Sequence, residues 1–320
     1  MAYTTINKST DYFNTKLYTG NATARTISEI GFQPDWVWGK SKTNTENYSL
    51  FDAVRGAGYD IKSDVTNAQA SNTGITAFNS DGYVLGTADS LNSNGQSFVT
   101  WNWKANGQGS SNTDGSVNTT YTSVNTTAGF SISKYTNPAS GSPFTIGHGL
   151  GSPPKMVIIK NLSAAQTWGV WNTGIAFGKY LRLDSTATEA SANLVTATSN
   201  TTFSTYQDHH STGNELIAYC FAPIKGFSAM GSYTGTANAD GAFVYTGFKP
   251  AWVLIKNTAA TEAWFLYDNK RGLNGSMKAL FPDENAAEGG AADNIDLLSN
   301  GFKLRTAGAI LNSAANFVYL

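Results

Sequence analysis

The chain contains three histidines, and imidazole can act as a general base or a metal ligand. Asp208, His209 and His210 are consecutive. Consecutive side chains of an extended strand alternate between its two faces and do not converge on one ion. We therefore interpret these three residues as a polar loop, with a binding or interface loop as the functional alternative, and predict no metal site. His148 stands between two glycines and is predicted to be a solvated turn residue.

Paired carboxylates would indicate glycoside hydrolysis, in which one acid protonates the leaving oxygen and the second attacks the sugar or activates water. Asp283, Glu284 and Glu288 cluster in an Ala- and Gly-rich stretch. We expect no aromatic side chain to desolvate them and raise a pKa. We predict a solvated loop here. Catalytic-triad, Walker-type and dinucleotide patterns are missing from the sequence, so we predict no enzyme and no cofactor.

The composition excludes several classes of protein. Charged residues make up 13% of the chain, the net charge is −1 and no basic block occurs, so no nucleic-acid partner is expected. No apolar run approaches the roughly 20 residues of a membrane span. Hydrophobic residues at 41% suffice for a core, and the Thr- and aromatic-rich mixture favours β-sheet. The single Cys220 lies in an apolar run and is predicted to be a buried, inert thiol.

An internal repeat organises the sequence. Pro34, Pro154 and Pro250 each precede a short apolar run and lie 120 and 96 positions apart. The same offsets align three further sets of positions: Tyr48, Trp168 and Trp264; Phe51, Trp171 and Tyr267; Ile61, Leu181 and Met277. An apolar position shared by all repeats indicates a shared core. We therefore assign most tryptophans to packing rather than to sugar binding, in particular Trp36, Trp38, Trp168, Trp252 and Trp264.

Each repeat is predicted to be β-sheet, because short apolar runs alternate with hairpin signals such as Ser80-Asp81-Gly82, and long helical periodicity is missing. We predict an all-β fold of three tandem modules that resemble a β-sandwich or jelly roll. Whether the modules share one core stays open. The predicted division is an N-terminal arm at 1–14, a first module at 15–107, a loose Gly/Ser/Asn/Thr linker at 108–128, and modules at 129–226 and 227–320 that abut tightly.

Several stretches of the chain resemble a known family. They are Ala2 to Ile6, Phe13 to Gly20, Gly31 to Trp38, Leu50 to Gly58 and Phe78 to Tyr83. Together they are similar to a β-rich domain common in tail-fibre and virion structural proteins of marine and cyanobacterial tailed phages, a family with no assigned activity. The resemblance covers nearly the whole chain and fades in the second module. It carries no catalytic residue that could be transferred.

This resemblance implies a bacteriophage virion structural protein, and we expect a tail-fibre, spike or receptor-binding component. Capsid decoration is the alternative, and a glycan-cleaving depolymerase is the less favoured enzyme class. A bacterial surface lectin ranks third, because the N-terminus lacks the apolar region of a signal peptide. The expected partners are other virion proteins and a host-surface glycan. The expected location is the exterior of the virion, after synthesis in the host cytoplasm.

We also expect a homo-oligomer, most simply a trimer. Low charge removes the lysines that usually protect sheet edges. The closing strand at 317–320 is predicted to be shorter than its counterparts, with no equivalent of Trp103 or Phe221. Residues 1–14 have no counterpart in the other modules, so we expect an arm that adds a strand to a neighbouring chain.

Overall fold

The computed structural model describes residues 4–138, 142–206, 211–292 and 294–320. Within them the fold is all-β, as predicted, and consists of antiparallel sheets with two short α-helices. None of the helices in these ranges is long and apolar enough to cross a membrane.

The first module consists of nine strands and one helix, named here with their bounds: β1 (Phe13–Thr19), β2 (Arg25–Ile27), β3 (Trp36–Ser41), β4 (Ser49–Asp52), β5 (Tyr59–Asp60), β6 (Ala70–Ser71), β7 (Ile75–Asn79), β8 (Gly82–Leu85), α1 (Asp89–Asn92) and β9 (Ser97–Trp103). They form a four-stranded sheet in the order β1-β9-β3-β4 and a three-stranded sheet in the order β2-β8-β7, beside the short pair β5-β6.

The second module has ten strands: β10 (Tyr121–Asn125), β11 (Phe130–Thr136), β12 (Phe144–Gly147), β13 (Met156–Asn161), β14 (Gly169–Asn172), β15 (Lys179–Arg182), β16 (Ala190–Ser191), β17 (Ala197–Thr198), β18 (Thr202–Thr205) and β19 (Glu215–Phe221). Its larger sheet has the order β10-β11-β19-β13-β14-β15-β16, and its smaller sheet has the order β12-β18-β17.

The third module has nine strands and one helix: β20 (Gly231–Thr234), β21 (Phe243–Tyr245), β22 (Trp252–Asn257), β23 (Phe265–Asp268), β24 (Met277–Lys278), β25 (Ala291–Ala292), β26 (Ile295–Leu298), β27 (Gly301–Leu304), α2 (Ala309–Asn312) and β28 (Asn316–Tyr319). Its sheets are β20-β28-β22-β23, β21-β27-β26 and the pair β24-β25.

One strand order therefore occurs three times. The order β1-β9-β3-β4 recurs as β11-β19-β13-β14 and as β20-β28-β22-β23. The smaller sheets repeat in the same way. Pro34, Pro154 and Pro250 each lie two residues before the equivalent strand, β3, β13 or β22, as the repeat predicts. Proline suits a strand start, where its missing N–H interrupts no ladder.

The main sheet of each module is buried on both faces. In the first module Trp36 faces a core that all three modules share, and Val37 on the opposite face packs against the smaller sheet. In the third module Leu254 faces the shared core, and Val253 packs on the opposite face of the sheet. This alternation follows from the two-residue period of a strand. The modules are thus sandwiches joined through one central core, which settles the point that the sequence left open.

One predicted register is wrong in the third module. Ile61 and Leu181 each pair with the strand that precedes them. In the third module Leu280 makes this pairing, and Met277 does not. A small turn at 273–276 accommodates the extra residues of this module. Insertions in surface turns have a small entropic cost, so the sheet order survives the shift.

The segment 108–128, predicted to be a loose linker, is packed. Its second half contains β10, which extends the sheet of the second module. Ser110 and Thr122 exchange two backbone hydrogen bonds. The hydroxyl of Thr119 lies 2.9 Å from that of Thr122, which in turn lies 3.1 Å from that of Ser133. Small hydroxyl side chains satisfy the backbone and one another here, and Val117, Tyr121 and Val124 pack against the shared core.

The predicted arm lies against its own chain where the structure describes it. Ile6 is buried, Ser9–Asp11 forms one 3-10 turn, and the carbonyl of Tyr12 accepts a hydrogen bond from the amide of Lys104. The described residues before Phe13 form no strand, and Phe13 and Asn14 of the predicted arm belong to β1. Addition of a strand from this arm to a neighbouring chain stays a prediction. The closing strand β28 has four residues, against seven in β9 and in β19, as predicted.

Candidate functional site

The loop of Asp208, His209 and His210 lies outside the described residues. In the ranges that the structure covers, no group of three or more His, Cys, Asp or Glu side chains is arranged to hold a metal ion. Cys220 is buried, as predicted, and burial raises the pKa of its thiol. At neutral pH it is therefore a protonated thiol and a poor nucleophile.

His148 is fully buried, which corrects the prediction of a solvated turn residue. Its Nδ1 accepts a hydrogen bond from the amide of Leu150 at 3.1 Å, and its Nε2 lies 3.2 Å from the carbonyl oxygen of Ser199. Burial lowers the pKa of the imidazole, against a smaller opposing effect of the Ser199 carbonyl. A neutral ring that accepts at one nitrogen and donates at the other fits these partners.

Two of the three acidic side chains in the third module, Asp283 and Glu288, are buried rather than solvated, whereas Glu284 is exposed, as predicted. Oδ1 of Asp283 accepts a hydrogen bond from the amide of Trp264 at 2.9 Å. The Glu288 carboxylate lies 3.1 Å from the guanidinium of Arg271. The residues that cover this stretch are distant in sequence, which is why its neighbours along the chain did not reveal the burial. In the register of the structure an aspartate follows the paired aliphatic residue by three positions in every module, as Asp64, Asp184 and Asp283. The ungapped sequence alignment places Leu280 at this position and so did not show the repeated aspartate.

Three buried lysines connect the modules in cyclic order. Each donates a hydrogen bond from Nζ to a backbone carbonyl of another module: Lys160 to Thr66 at 2.7 Å, Lys256 to Thr186 at 2.8 Å, and Lys40 to Asn285 at 3.2 Å. The last contact joins the first module to the third and closes a ring. Burial lowers the pKa of all three lysines to about 8. Carbonyl acceptors replace part of the hydration that each ammonium group loses.

The aligned aromatic residues serve the same junctions. The indole N–H of Trp168 donates to the carbonyl of Lys62 at 2.8 Å, and that of Trp264 donates to the carbonyl of Arg182 at 2.7 Å. Tyr48 occupies the equivalent position in the first module. Each of these rings is buried and lies at the contact between two modules.

Buried ion pairs lie at two of the three junctions. Asp52 and Arg55 lie 2.5 Å apart, and Asp268 and Arg271 lie 2.5 Å apart. Each aspartate also accepts a hydrogen bond from another module: Tyr219 Oη donates to Asp52 at 2.8 Å, and the indole of Trp101 donates to Asp268 at 2.9 Å. These charges are therefore used to hold the modules together.

The second module replaces the ion pair with uncharged residues. Asn172 and Ile175 stand where the other modules have aspartate and arginine. The Asn172 amide donates to the carbonyl of Tyr319 in the third module at 3.0 Å. The junction between the second and third modules is thus built without an ion pair. It provides an internal comparison for the two junctions that contain one.

Replacement of Asp283 by asparagine is expected to weaken the dependence of stability on pH. Burial raises the pKa of this carboxyl to about 7, against the lowering effect of backbone hydrogen bonds and of Lys256. The folded state then binds more protons than the unfolded state between pH ~4 and ~7. The contribution of Asp283 to stability is present below this window and is lost as the pH rises through it.

The measurement is the melting temperature of both proteins across this pH range. The advantage of Asp283→Asn over the wild type should increase as the pH rises and level off above pH ~7. Glu29→Gln is the control, because this side chain is 83% exposed and lies outside the core. Parallel curves for Asp283→Asn and the wild type would contradict the assigned role of burial.

One cavity of about 300 Å³ opens beside β1 and the start of β22. Its walls include Phe13, Trp103 and Trp252, and the rings of Trp103 and Trp252 lie 5.5 Å apart in an edge-to-face arrangement. Backbone pairing of β28 with β22 ends opposite Leu254, so Trp252 is only half-buried. The other tryptophans assigned to packing are buried, as predicted. The cavity is an apolar opening in the shared core.

A second surface feature lies on the edge strand β21. Phe243 and Tyr245 point outward and are 45% and 63% exposed, whereas Val244 between them points into the core. The Phe243 ring reaches Gly301 of the neighbouring strand with its Cζ atom, which would lie 3.0 Å from a Cβ atom at that position. We call Phe243, Tyr245 and Gly301 the aromatic platform.

Charged groups of both signs border the aromatic platform. Lys303 lies opposite Phe243 in the ladder, and its ammonium group is 2.5 Å from the carboxylate of Asp240. Arg305 lies 2.6 Å from Asp296. These two ion pairs leave the border of the platform without net charge.

The sister modules do not have the platform. Ile27 and Ile146 occupy the position of Val244, because each pairs with the equivalent aromatic residue of the neighbouring strand. The flanking residues are Thr26 and Ser28 in the first module and Thr145 and Gly147 in the second. The fold therefore does not require an aromatic residue at either position. Sequence reasoning missed this pair, and a comparison of these positions between repeats would have found it.

Residues 8–320 match DUF7483, a domain of unknown function. The chain belongs to this family. The match includes all three modules, so the closed ring with its lysine and aromatic junctions lies within one DUF7483 domain. Searches of the curated proteins and of the solved structures find no match.

Proposed function

We propose that the chain is a structural component of a bacteriophage virion, located on its exterior as part of a tail fibre, spike or receptor-binding assembly. Other virion proteins are its proposed partners. The proposal starts from the resemblance of the first module to phage structural proteins. DUF7483 is a domain of unknown function, so membership of this family does not add to the argument.

The observation that carries the proposal is that buried charged groups lie at the junctions between the three modules. The lysines with lowered pKa and the Asp–Arg pairs all contact protein groups, and several of these contacts join different modules. A catalyst needs its perturbed groups directed at a substrate. Here they stabilise the contact between β-sandwiches, which is the requirement of a rigid structural body.

Immunogold electron microscopy of intact virions tests this proposal. Antibodies against the purified protein should label the tail or its fibres. Label on the capsid would replace the tail role with the decoration role. Antibodies that detect the protein in infected lysate but label no purified particle would overturn the virion assignment.

A homotrimer belongs to the same proposal. Mass measurement of the purified protein at micromolar concentration should give three times the chain mass. The described part of residues 1–14 packs on its own chain, so the trimer proposal does not depend on an exchanged N-terminal arm. A protein that remains monomeric under these conditions would end the trimer proposal and leave the virion proposal to the microscopy.

A further inference from the structure

We infer that the aromatic platform binds an uncharged glycan through stacking of a sugar ring on Phe243 and Tyr245. This inference deepens the proposed function, on which its biological meaning rests, by naming the surface and the ligand class through which the protein would contact a host cell.

The first argument is geometric. Alternation along β21 places both rings on the outer face of a three-stranded sheet, two residues apart. The tip of the Phe243 ring reaches Gly301 of the neighbouring strand, and the residue is 45% exposed, so the ring lies at the sheet surface and is open to solvent. The electron-rich face of an aromatic ring attracts the slightly positive C–H groups on the apolar face of a hexose.

The second argument is the internal comparison. Covering a glycine with an aromatic ring stabilises some sheets, and this is the structural explanation of Phe243. Gly82 of the first module occupies the same position as Gly301, and its neighbouring strand carries Thr26 and Ser28 instead. Stability of the sheet therefore does not demand the aromatic residues. Tyr245, which is 63% exposed, contributes little to any core.

The third argument is charge complementarity. Lys303 is paired with Asp240, and Arg305 with Asp296, so the border of the platform offers donors and acceptors but no net charge. Hydroxyl groups of a neutral sugar can bond to both signs of partner. A sialylated or uronic-acid glycan would have to compete with an existing carboxylate for each cation. The platform thus fits a neutral hexose chain better than an acidic one.

The test measures binding to immobilised oligosaccharides. Neutral chains of glucose, galactose or mannose form one set, and sialylated and uronic-acid chains form the other. The variant is Phe243→Thr with Tyr245→Ser, which places the residues of the first module at the same positions of the third. Phe177→Ala is the matched control, because this ring of the second module is 50% exposed and lies outside the platform.

The wild type should bind at least one neutral chain, and the double variant should bind it at least about tenfold more weakly. Phe177→Ala should bind as the wild type does. Binding should change little between about 0.05 and about 0.5 M salt, because no net charge is involved. Unchanged melting temperatures would establish that both variants are folded. If the double variant melts early, Tyr245→Ser alone replaces it.

Three results would overturn the inference: no neutral chain binds, the double variant binds as well as the wild type, or acidic chains bind more tightly with strong salt dependence. The outcome is separate from the virion proposal. Gold label on virion tails together with absent glycan binding would remove only the platform's role. Platform-dependent binding by a protein absent from virions would remove the virion assignment and retain the site.

Discussion

Asp52→Asn is expected to lower the free energy of unfolding by about 3–5 kcal/mol, because it leaves Arg55 buried without its carboxylate. The Arg55 side chain is 1% exposed, and its Nε lies 2.5 Å from the Asp52 carboxylate. Asparagine keeps the volume and an acceptor for the hydroxyl of Tyr219 but removes the negative charge. The loss in free energy of unfolding is therefore due to an arginine buried without its counter-charge and not to a loss of packing. Urea unfolding followed by tryptophan fluorescence measures it.

The matched control is the double variant Asp52→Asn with Arg55→Ile. The second module contains this combination as Asn172 and Ile175 and builds the same junction with it. The double variant should therefore recover most of the stability that the single variant loses. Replacement of buried ion pairs by apolar residues is often neutral or stabilising in proteins. Equal losses for both variants would show that the negative charge of Asp52 matters for another reason.

Trp168→Ala is expected to cost about 3–5 kcal/mol, the usual range for removal of a large aromatic side chain from a core. The ring is fully buried, and its indole donates to the carbonyl of Lys62 across the junction. Trp168→Tyr is the control, because the first module has Tyr48 at the equivalent position. It should cost about 1–2 kcal/mol.

Hydrogen exchange distinguishes loss of the junction from local damage. The amide of Gln166 donates to the carbonyl of Thr66, and the amide of Gln69 donates to the carbonyl of Leu162, so the two amides lie on opposite sides of the junction. Trp168→Ala should reduce the protection of both. Loss of protection only at Gln166 would mean that the modules open independently, and the closed ring would not be one cooperative unit.

The repeat and the β class follow from local chemistry. Proline before an apolar run favours the start of a strand, and a position that stays apolar in three copies indicates a core. Pro34, Pro154 and Pro250 therefore predicted three equivalent strands without knowledge of the fold. The insertion at 273–276 was missed because an ungapped alignment of Ile61, Leu181 and Met277 still places apolar residues together.

Burial of the polar residues was decided only by tertiary structure. The surroundings of His148, Asp283 and Glu288 along the chain are rich in glycine, alanine or polar residues, which predicted solvation. Residues distant in sequence cover these side chains. Burial then raises the pKa of the Asp283 carboxyl and lowers that of the His148 imidazole, because low polarity disfavours the charged form of either group.

The sequence by itself determined that β21 has two faces, because side chains of a strand alternate. It did not determine which face meets solvent. The core of the third module takes Val244, and this choice turns Phe243 and Tyr245 outward, although both are residue types that more often pack inside. Closure of the ring was equally undetermined by the sequence, because the contact between Lys40 and Asn285 joins residues at opposite ends of the chain. Contacts of this kind depend on how whole sheets pack, and no local pattern encodes them.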